Sequence, residues 1–462
     1  MAGIIHLCTR KFNYEIDCCE IDCGRTRGLL RRGIFALRPQ VNPSPNNLKH
    51  VNGWRSIADF LALKRNTALL LVALVLAGTG EKLWLGFAPK YLQTLGASIL
   101  IIGLFDALQT LLGAVYAYPG GWLTDRWGQR RSLMLFSALS LGGYALVMVW
   151  HHWLALVLGA FLYLAWSALS LPTTFTVVAT SLKVQQHTMG IGVQSMVRRV
   201  PMMLGPLFGG WLITRFGWDR GVQYALLLCL VLTLLTMSFQ WFMFTPGQEV
   251  MIPAPGAGDA SFRAVLRSFT PALRELLVSD ILIRFCERIP YAFIILWAMD
   301  QGGVDAQQFG VLVAIEMITA MICYIPVAHL ADKYGRRPFV LVTFLFFTLF
   351  PMTLLWAHSF GWLALAFAVR GLKEFGEPAR KALIIGEAVP ELRALTYGAY
   401  YLIRDCVVTS GSFLGAWLWR LSPRANFIGA ALCGALGTVW FWWFVYRRKP
   451  ASGLTVSPLR PQ

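Results

Sequence analysis

Charged side chains are scarce in this chain. Asp, Glu, Lys and Arg make up only 14% of its 462 residues, and only 23 residues are acidic, whereas soluble proteins carry about a quarter charged residues. The sequence also lacks the short signatures of zinc hydrolases, serine hydrolases, phosphate-binding loops and dinucleotide-binding folds. We therefore expect no enzyme activity, no cofactor and no bound metal, and no energy supply from ATP.

Apolar residues are abundant instead. They form 56% of the chain, the mean hydropathy is +0.57, and 18 tryptophans are present. This composition predicts an integral membrane protein. The net charge is +18, but the basic residues lie in short loops and at the ends of apolar runs. That distribution indicates membrane topology, and we expect no nucleic-acid partner.

Twelve stretches are long enough to cross a bilayer, which takes about 20 apolar residues. In chain order these predicted spans cover roughly 67–94, 98–122, 132–150, 153–178, 189–214, 219–244, 274–299, 306–330, 338–357, 360–384, 395–420 and 424–446. The predicted fold is all-α, with twelve transmembrane helices in two pseudo-symmetric six-helix bundles. With the N-terminus placed in the cytoplasm, thirteen basic residues fall in cytoplasmic loops and four in the opposite loops. The positive-inside rule then places both termini in the cytoplasm of a multi-pass protein of the plasma (inner) membrane.

Domain boundaries follow from these stretches. The predicted parts are a cytoplasmic N-terminal extension at 1–65, a six-helix bundle at 66–246, a Pro- and Gly-rich cytoplasmic linker at 247–272, a second bundle at 273–448 and a cytoplasmic tail at 449–462. The N-terminal extension holds four of the nine cysteines in a spacing that matches no standard zinc site. We expect reduced thiols there.

An internal repeat relates the two bundles. At an offset of about 206 residues, features that composition alone would not match fall on each other. The matched pairs are Glu81-Lys82 with Glu287-Arg288, Pro172 with Pro378, Arg198 with Arg404 and, at an offset of 207, Gln109 with Glu316 and Asp125 with Asp332. Repeats of this kind characterise secondary transporters, whose substrate sites lie near mid-membrane between the halves.

The loop after the second predicted span carries a short charged motif. It contains Gly121, Asp125, Arg126, Gly128, Arg130 and Arg131, and the repeat supplies Asp332, Lys333, Gly335, Arg336 and Arg337. Across about residues 66–448 the chain resembles the major facilitator superfamily, whose corresponding loop departs from this one only at Gln129. The resemblance implies a transporter in which the motif clasps the cytoplasmic side shut. Plain topology is the alternative, since basic residues alone satisfy the positive-inside rule.

Span five holds a second motif. Gly192, Gly205, Pro206, Gly209 and Gly210 are similar to the motif of antiporters of the superfamily, with Pro201 in place of one glycine. The resemblance implies proton antiport, and close packing of small residues is the alternative. Span four has no charged residue, whereas these antiporters often carry an arginine there; Arg370 occupies the repeat-equivalent place in span ten.

Ionisable residues inside the spans are the candidate coupling sites, because burying a charge in a membrane is costly. They are Glu81, Asp106, Glu287, Glu316 and Arg370. Each acid either carries protons or makes a static salt bridge, and Arg370 is the candidate contact for an anionic solute group.

Local spacing predicts several of the pairs. Adjacent residues point in different directions on a helix, so we expect Glu81 and Lys82 not to pair, whereas Arg284 and Glu287 are spaced to do so. In span ten, Arg370–Glu374, Lys373–Glu377 and Glu377–Lys381 all have the spacing of pairs on a continuous helix.

The predicted function is proton-coupled efflux of a small organic solute by alternating access, as a monomer in contact with membrane lipids. A symporter or facilitator importing an organic anion is the alternative, and a membrane sensor that transports nothing is a third.

Overall fold

The computed structural model describes residues 65–168, 197–243, 262–388 and 393–447. These residues form helices and short connections, with no β-strand among them. In chain order the helices are α1 (Arg65–Leu85), α2 (Ala88–Thr94), α3 (Ile99–Trp127), α4 (Gln129–Val149), α5 (Trp153–Tyr163), α6 (Arg199–Met243), α7 (Phe262–Arg267), α8 (Pro271–Tyr291), α9 (Ile294–Asp300), α10 (Ala306–Tyr334), α11 (Arg336–Trp356), α12 (Phe360–Leu372), α13 (Glu377–Gly386), α14 (Arg393–Leu421) and α15 (Pro423–Trp440), which continues as a π-helical turn over Phe441–Tyr446. The predicted all-α membrane fold is confirmed.

Within the described ranges, seven helical stretches are long and apolar enough to cross a membrane. Helix α6 has 45 residues, which would make a straight rod of about 67 Å, more than twice the bilayer core. It breaks at Gly217, whose φ of 80° is readily adopted only by glycine. The two segments of α6 agree with predicted spans five and six. The count of twelve stays a prediction, because 169–196 lies outside the described residues.

The internal repeat is visible in the helix boundaries. Helices α1 and α8 each have 21 residues and start 206 positions apart, and α3 and α10 each have 29 residues and start 207 positions apart. Both long helices begin with a side-chain cap, from Ser98 and Asp305, because these short polar groups satisfy free backbone N–H groups of the first turn. We call α1–α6 the N-terminal half and α8–α15 the C-terminal half.

Two glycine turns mark one end of the bundle. Gly128 joins α3 to α4 with φ 82°, and Gly335 joins α10 to α11 with φ 91°. We call this the arginine-rich end, after the motif residues around the turns. The other end, which holds α2 and α9, is called the opposite end.

The halves meet most closely at the opposite end. A single cluster of buried apolar residues there draws on both halves, with Phe87 5.8 Å from Phe309 between ring centres. Lys90 of α2 also pairs with Asp300 of α9 at 2.5 Å. Two further clusters lie towards the arginine-rich end, one within each half. The described residues therefore seal the seam at the opposite end.

Candidate functional site

A cavity of about 360 Å³ lies between the two halves. Its apolar lining includes Leu85, Ile294, Ile295 and Phe309. Its ionisable lining comprises four basic residues, Lys82, Arg199, Arg370 and Lys373, and four acidic residues, Asp106, Glu287, Glu316 and Glu374. A second cavity of about 390 Å³ shares Gln109, Glu287 and Tyr291 with the first and extends to Arg404 and Asp405. The site combines apolar walls with converging charges, as small-molecule sites commonly do.

Glu81 lies inside the N-terminal half rather than on the cavity wall. Its residue surface is 4% exposed, and its carboxylate accepts a hydrogen bond from the Lys82 ammonium at 2.8 Å. The prediction that these neighbours do not pair was wrong, because the long flexible lysine side chain turns back along the helix. Lys82 itself borders the cavity. One ion pair thus connects a buried acid to the cavity.

Glu287 and Glu316 are held by cations of the C-terminal half. Glu287 accepts from Arg284 at 2.6 Å and from Lys373 at 2.7 Å. The first of these pairs confirms the spacing-based prediction. Glu316 pairs with Arg370 at 2.9 Å and lies 3.6 Å from the Lys373 ammonium. Lys373 therefore links the two acids.

Asp106 bridges the halves. It is 2% exposed on α3, and its carboxylate accepts from Arg288 of α8 at 3.2 Å and from the Ser412 hydroxyl of α14 at 2.5 Å. Arg288 also donates to the Thr110 hydroxyl of α3. Both bonds of Asp106 lie near the opposite end. One turn away along α3, Gly103 packs against the Ser412 carbonyl and Ala416.

Predicted span ten is interrupted. Helix α12 ends at Leu372 and α13 starts at Glu377, with single turns between them. The Gly376 N–H leaves the helical pattern and donates to the Thr343 hydroxyl of α11 at 2.6 Å. The prediction of one continuous salt-bridged helix was therefore wrong. Only Glu377–Lys381, at 3.4 Å, pairs along the helix as its spacing predicts.

The remaining charges of span ten pair with other helices. Arg370 turns to Glu316, and Lys373 turns to Glu287. Glu374 receives a bond of 3.0 Å from Arg199 across the seam. Because the helix is interrupted at 373–376, the side chains of Arg370, Lys373 and Glu374 do not share one helix face and do not form the predicted pairs along it.

A buried charge cluster that the sequence analysis missed lies deeper in the C-terminal half. Asp280 of α8 is fully buried and pairs with Arg380 of α13, with Arg404 of α14 at 3.4 Å and with the Tyr400 hydroxyl at 3.3 Å. Arg380 is 1% exposed, whereas the charge count that sets the predicted topology includes it among the basic residues of the cytoplasmic loops. The sequence did contain a signal for this cluster. Asp280 is an acid within an apolar run, and it lies four residues before Arg284 and seven before Glu287, so all three share one helix face.

The glycine motif of span five permits close helix contacts. A methyl group at Gly205 would lie 2.5 Å from Lys82 Cβ, and one at Gly209 would collide with the Leu83 carbonyl. Gly210 faces the other way, against Ala306 at the start of α10. Pro206 lines the cavity. Gly192 lies outside the described residues.

The loop motif residues occupy equivalent places in the two halves. Gly121 and Asp125 lie near the end of α3, and Asp332 lies near the end of α10. Their neighbours include cations that sit over aromatic rings, Arg126 over Trp122, Arg130 over Trp241 and Lys333 over Tyr334. Arg336 and Arg337 are the first two residues of α11. The predicted clasp at this end stays a prediction.

Known proteins resemble this chain along most of its length. The multidrug resistance protein MdtG of Serratia proteamaculans is 26% identical over 83% of this chain and 95% of its own length. The multi-drug resistance efflux pump PmrA homolog of Lactococcus lactis is 24% identical over 82% and 94% of the two chains. A crystal structure of a mutant of the nucleoside transporter NupG has the same fold, with a TM-score of 0.69, 12% identity and coverage of 82% of this chain and all of that one.

The family model described as Major Facilitator Superfamily matches residues 70–299 and 276–461. Together the two matches cover nearly all of both halves, and they agree with the loop motif and the repeat in the helix boundaries. Members of this family transport small molecules across membranes and are not enzymes. The chain belongs to the Major Facilitator Superfamily.

Proposed function

We propose that this transporter exports small amphipathic organic solutes in exchange for protons. The names of its relatives support efflux, and the apolar walls and balanced charges of the cavity suit an amphipathic solute. We propose that both termini and the arginine-rich end face the cytoplasm at the plasma (inner) membrane, in line with the distribution of basic residues. The protein then works as a monomer by opening its cavity to each side in turn.

The ion pair between Glu81 and Lys82 carries this proposal. Glu81 is buried, and the Lys82 ammonium 2.8 Å away borders the cavity. Protonation of Glu81 removes the negative charge that neutralises Lys82. The cavity then gains a net positive charge, which weakens the binding of a cationic solute. Proton and cationic solute therefore exclude each other, which is the requirement for antiport.

Among the described residues, Glu81 has ionisable neighbours besides Lys82. It interacts electrostatically with Arg198 and Cys229 of the span-five and span-six region, with Tyr144 of α4 and with Tyr163 of α5. Glu287 is held by two direct ion pairs, with Arg284 at 2.6 Å and with Lys373 at 2.7 Å, and its protonation would break both. We therefore assign the proton to Glu81 and a structural role to Glu287.

The two sequence motifs complete this proposal. Gly205 and Gly209 bring span five against α1 at Lys82 and Leu83, so the antiporter-like motif supports the segment that carries the proposed proton site. The loop motif around Asp125 would hold the arginine-rich end shut in the other conformation.

The test is transport in proteoliposomes with a solute chosen by a susceptibility screen in a host that lacks its own exporters. With an imposed pH gradient, an antiporter accumulates the solute in the acidic compartment. Glu81→Gln should abolish this accumulation, whereas Glu81→Asp should retain part of it. The matched control is Asp219→Asn, which removes an exposed acid near the α6 break.

Protein-free liposomes correct for passive partition of the solute. Accumulation that is unchanged in Glu81→Gln would contradict the assignment of Glu81. A lack of any flux across the screened solutes would favour the sensor alternative.

A second candidate is proton-linked transport of an organic anion. Lys82, Arg370 and Lys373 on the cavity wall favour it. For an anionic solute the sign of coupling reverses, because protonation of Glu81 leaves Lys82 free to attract the anion. Such a solute would accumulate in the alkaline compartment of the same proteoliposomes, so one assay separates the two candidates.

A further inference from the structure

The internal repeat places two equivalent basic residues on the seam between the halves. Arg288 of α8 corresponds to Lys82 of α1 at the offset of 206. Arg288 reaches into the other half and binds the Asp106 carboxylate at 3.2 Å, and Ser412 donates to the same carboxylate at 2.5 Å. On this side of the pseudo-twofold axis, the protein supplies both the cation and its anion.

The equivalent positions on the other side of the axis are apolar. Asp106 corresponds to Val313 at the offset of 207 that relates α3 to α10, and Ser412 corresponds to Pro206 at the offset of 206. Val313, Pro206 and Lys82 all line the 360 Å³ cavity. The Lys82 ammonium bonds to its own neighbour Glu81 instead of crossing the seam. The repeat thus keeps the cation here and replaces the carboxylate with a cavity wall.

The space beside Lys82 has the chemistry of an anion subsite. The side chain of Lys82 is 32% exposed, so its ammonium can be reached from the cavity. Apolar residues of the cavity wall, among them Leu85, Ile294 and Phe309, would cover the body of an organic solute. A charge-assisted hydrogen bond is strong in such a setting.

We propose that the cavity binds solutes that carry a carboxylate, and that this carboxylate bonds to the Lys82 ammonium. It would take the place, beside Val313, that corresponds to the Asp106 carboxylate in the other half of the repeat. The inference rests on the transport function proposed above and deepens its second candidate. The carboxylate of the solute competes with Glu81 for the same ammonium. Neutralising Glu81 therefore strengthens the binding of a carboxylate and leaves a neutral analogue unaffected.

The test uses two matched pairs of fluorescent probes: dansylglycine with dansylglycinamide, and dansyl-γ-aminobutyrate with its amide. Dansyl fluorescence rises in an apolar site, so affinities can be titrated on the purified full-length protein in detergent. At least one carboxylate should bind more tightly than its amide. Lys82→Met should weaken carboxylate binding about tenfold or more, the scale of a hydrogen bond to a charged group, while Lys82→Arg should retain it.

Two further variants test the repeat argument. Val313→Asp should supply the missing carboxylate, occupy Lys82 and abolish the preference for the carboxylate probe, whereas Val313→Leu should retain the preference. Glu81→Gln should tighten carboxylate binding about tenfold. Arg220→Gln, which removes an exposed cation outside the cavity, is the control and should change neither member of a pair. Each variant should elute as a single folded species.

The subsite is overturned if neither carboxylate binds more tightly than its amide, including the case in which no probe binds. It is also overturned if Lys82→Met weakens the carboxylate and the amide alike. Failure of the proposed transport function gives a different result. In that case flux does not depend on Glu81, but carboxylate binding still depends on Lys82.

Discussion

The bonds of Asp106 across the seam should hold the opposite end closed. Opening that end must separate α3 from α8 and α14, and so must break the bonds from Arg288 and Ser412. Hydrogen bonds to charged groups each contribute about 1.5–3 kcal/mol to stability. Water entering the opened seam would replace part of this. We therefore expect Asp106→Ala to favour the open form by about 1.5–3 kcal/mol in total, a shift of about 10- to 150-fold in the equilibrium.

Cysteine accessibility measures this shift. Met202 lines the cavity, so Met202→Cys, in a background with the native cysteines replaced, reports which face of the membrane the cavity opens to. An impermeant maleimide is offered to one face at a time. In Asp106→Ala, labelling from the opposite end should rise and labelling from the arginine-rich end should fall.

The control and a double-mutant cycle sharpen the assay. Asp219→Asn should leave the labelling ratio unchanged, because Asp219 is exposed. Ser412→Ala should shift the ratio in the same direction as Asp106→Ala, and adding it to Asp106→Ala should have little further effect. An unchanged ratio in Asp106→Ala, or a shift towards the arginine-rich end, would refute the reasoning.

Two other substitutions test the packing. Gly210→Ala should hinder closure of the opposite end, because its methyl group would collide with the Ala306 backbone; the same maleimide assay measures this, and unchanged labelling would show that α10 yields easily. Asp280→Ala should lower the thermal stability of the detergent-solubilised protein strongly, by about 3–5 kcal/mol, because it leaves Arg380 and Arg404 buried beside a lost carboxylate. A transition temperature equal to that of the unmodified chain would mean that water or Glu377 compensates these cations.

Much of the architecture could be predicted from the sequence. Hydrophobic run length gave the helices, and the matched charges and glycines gave the relation between the halves, because both signals are local or periodic. The structure then repeats α1 in α8 and α3 in α10 with equal lengths.

The detail of the site was less accessible. The spacing of Arg284 and Glu287 was enough to predict their pair, since both lie on one helix. Partners on different helices, such as Asp106 with Ser412 and Asp280 with Arg380, depend on tertiary packing that spacing along the chain does not encode. Adjacent residues on a helix point their Cβ atoms in different directions, which predicted that Glu81 and Lys82 do not pair. The lysine side chain is long enough to reach its neighbour despite this.

The interruption between α12 and α13 divides predicted span ten into two short helices joined at Gly376. Arg370 lies on α12 and Lys373 in the joint, whereas Glu377 and Arg380 lie on α13. Such a joint would allow α13 to move with α8 and α14, to which the pairs of Asp280 with Arg380 and Arg404 connect it, while Arg370 stays with Glu316 of α10. The C-terminal half would then bend internally during the transport cycle instead of moving as one rigid block.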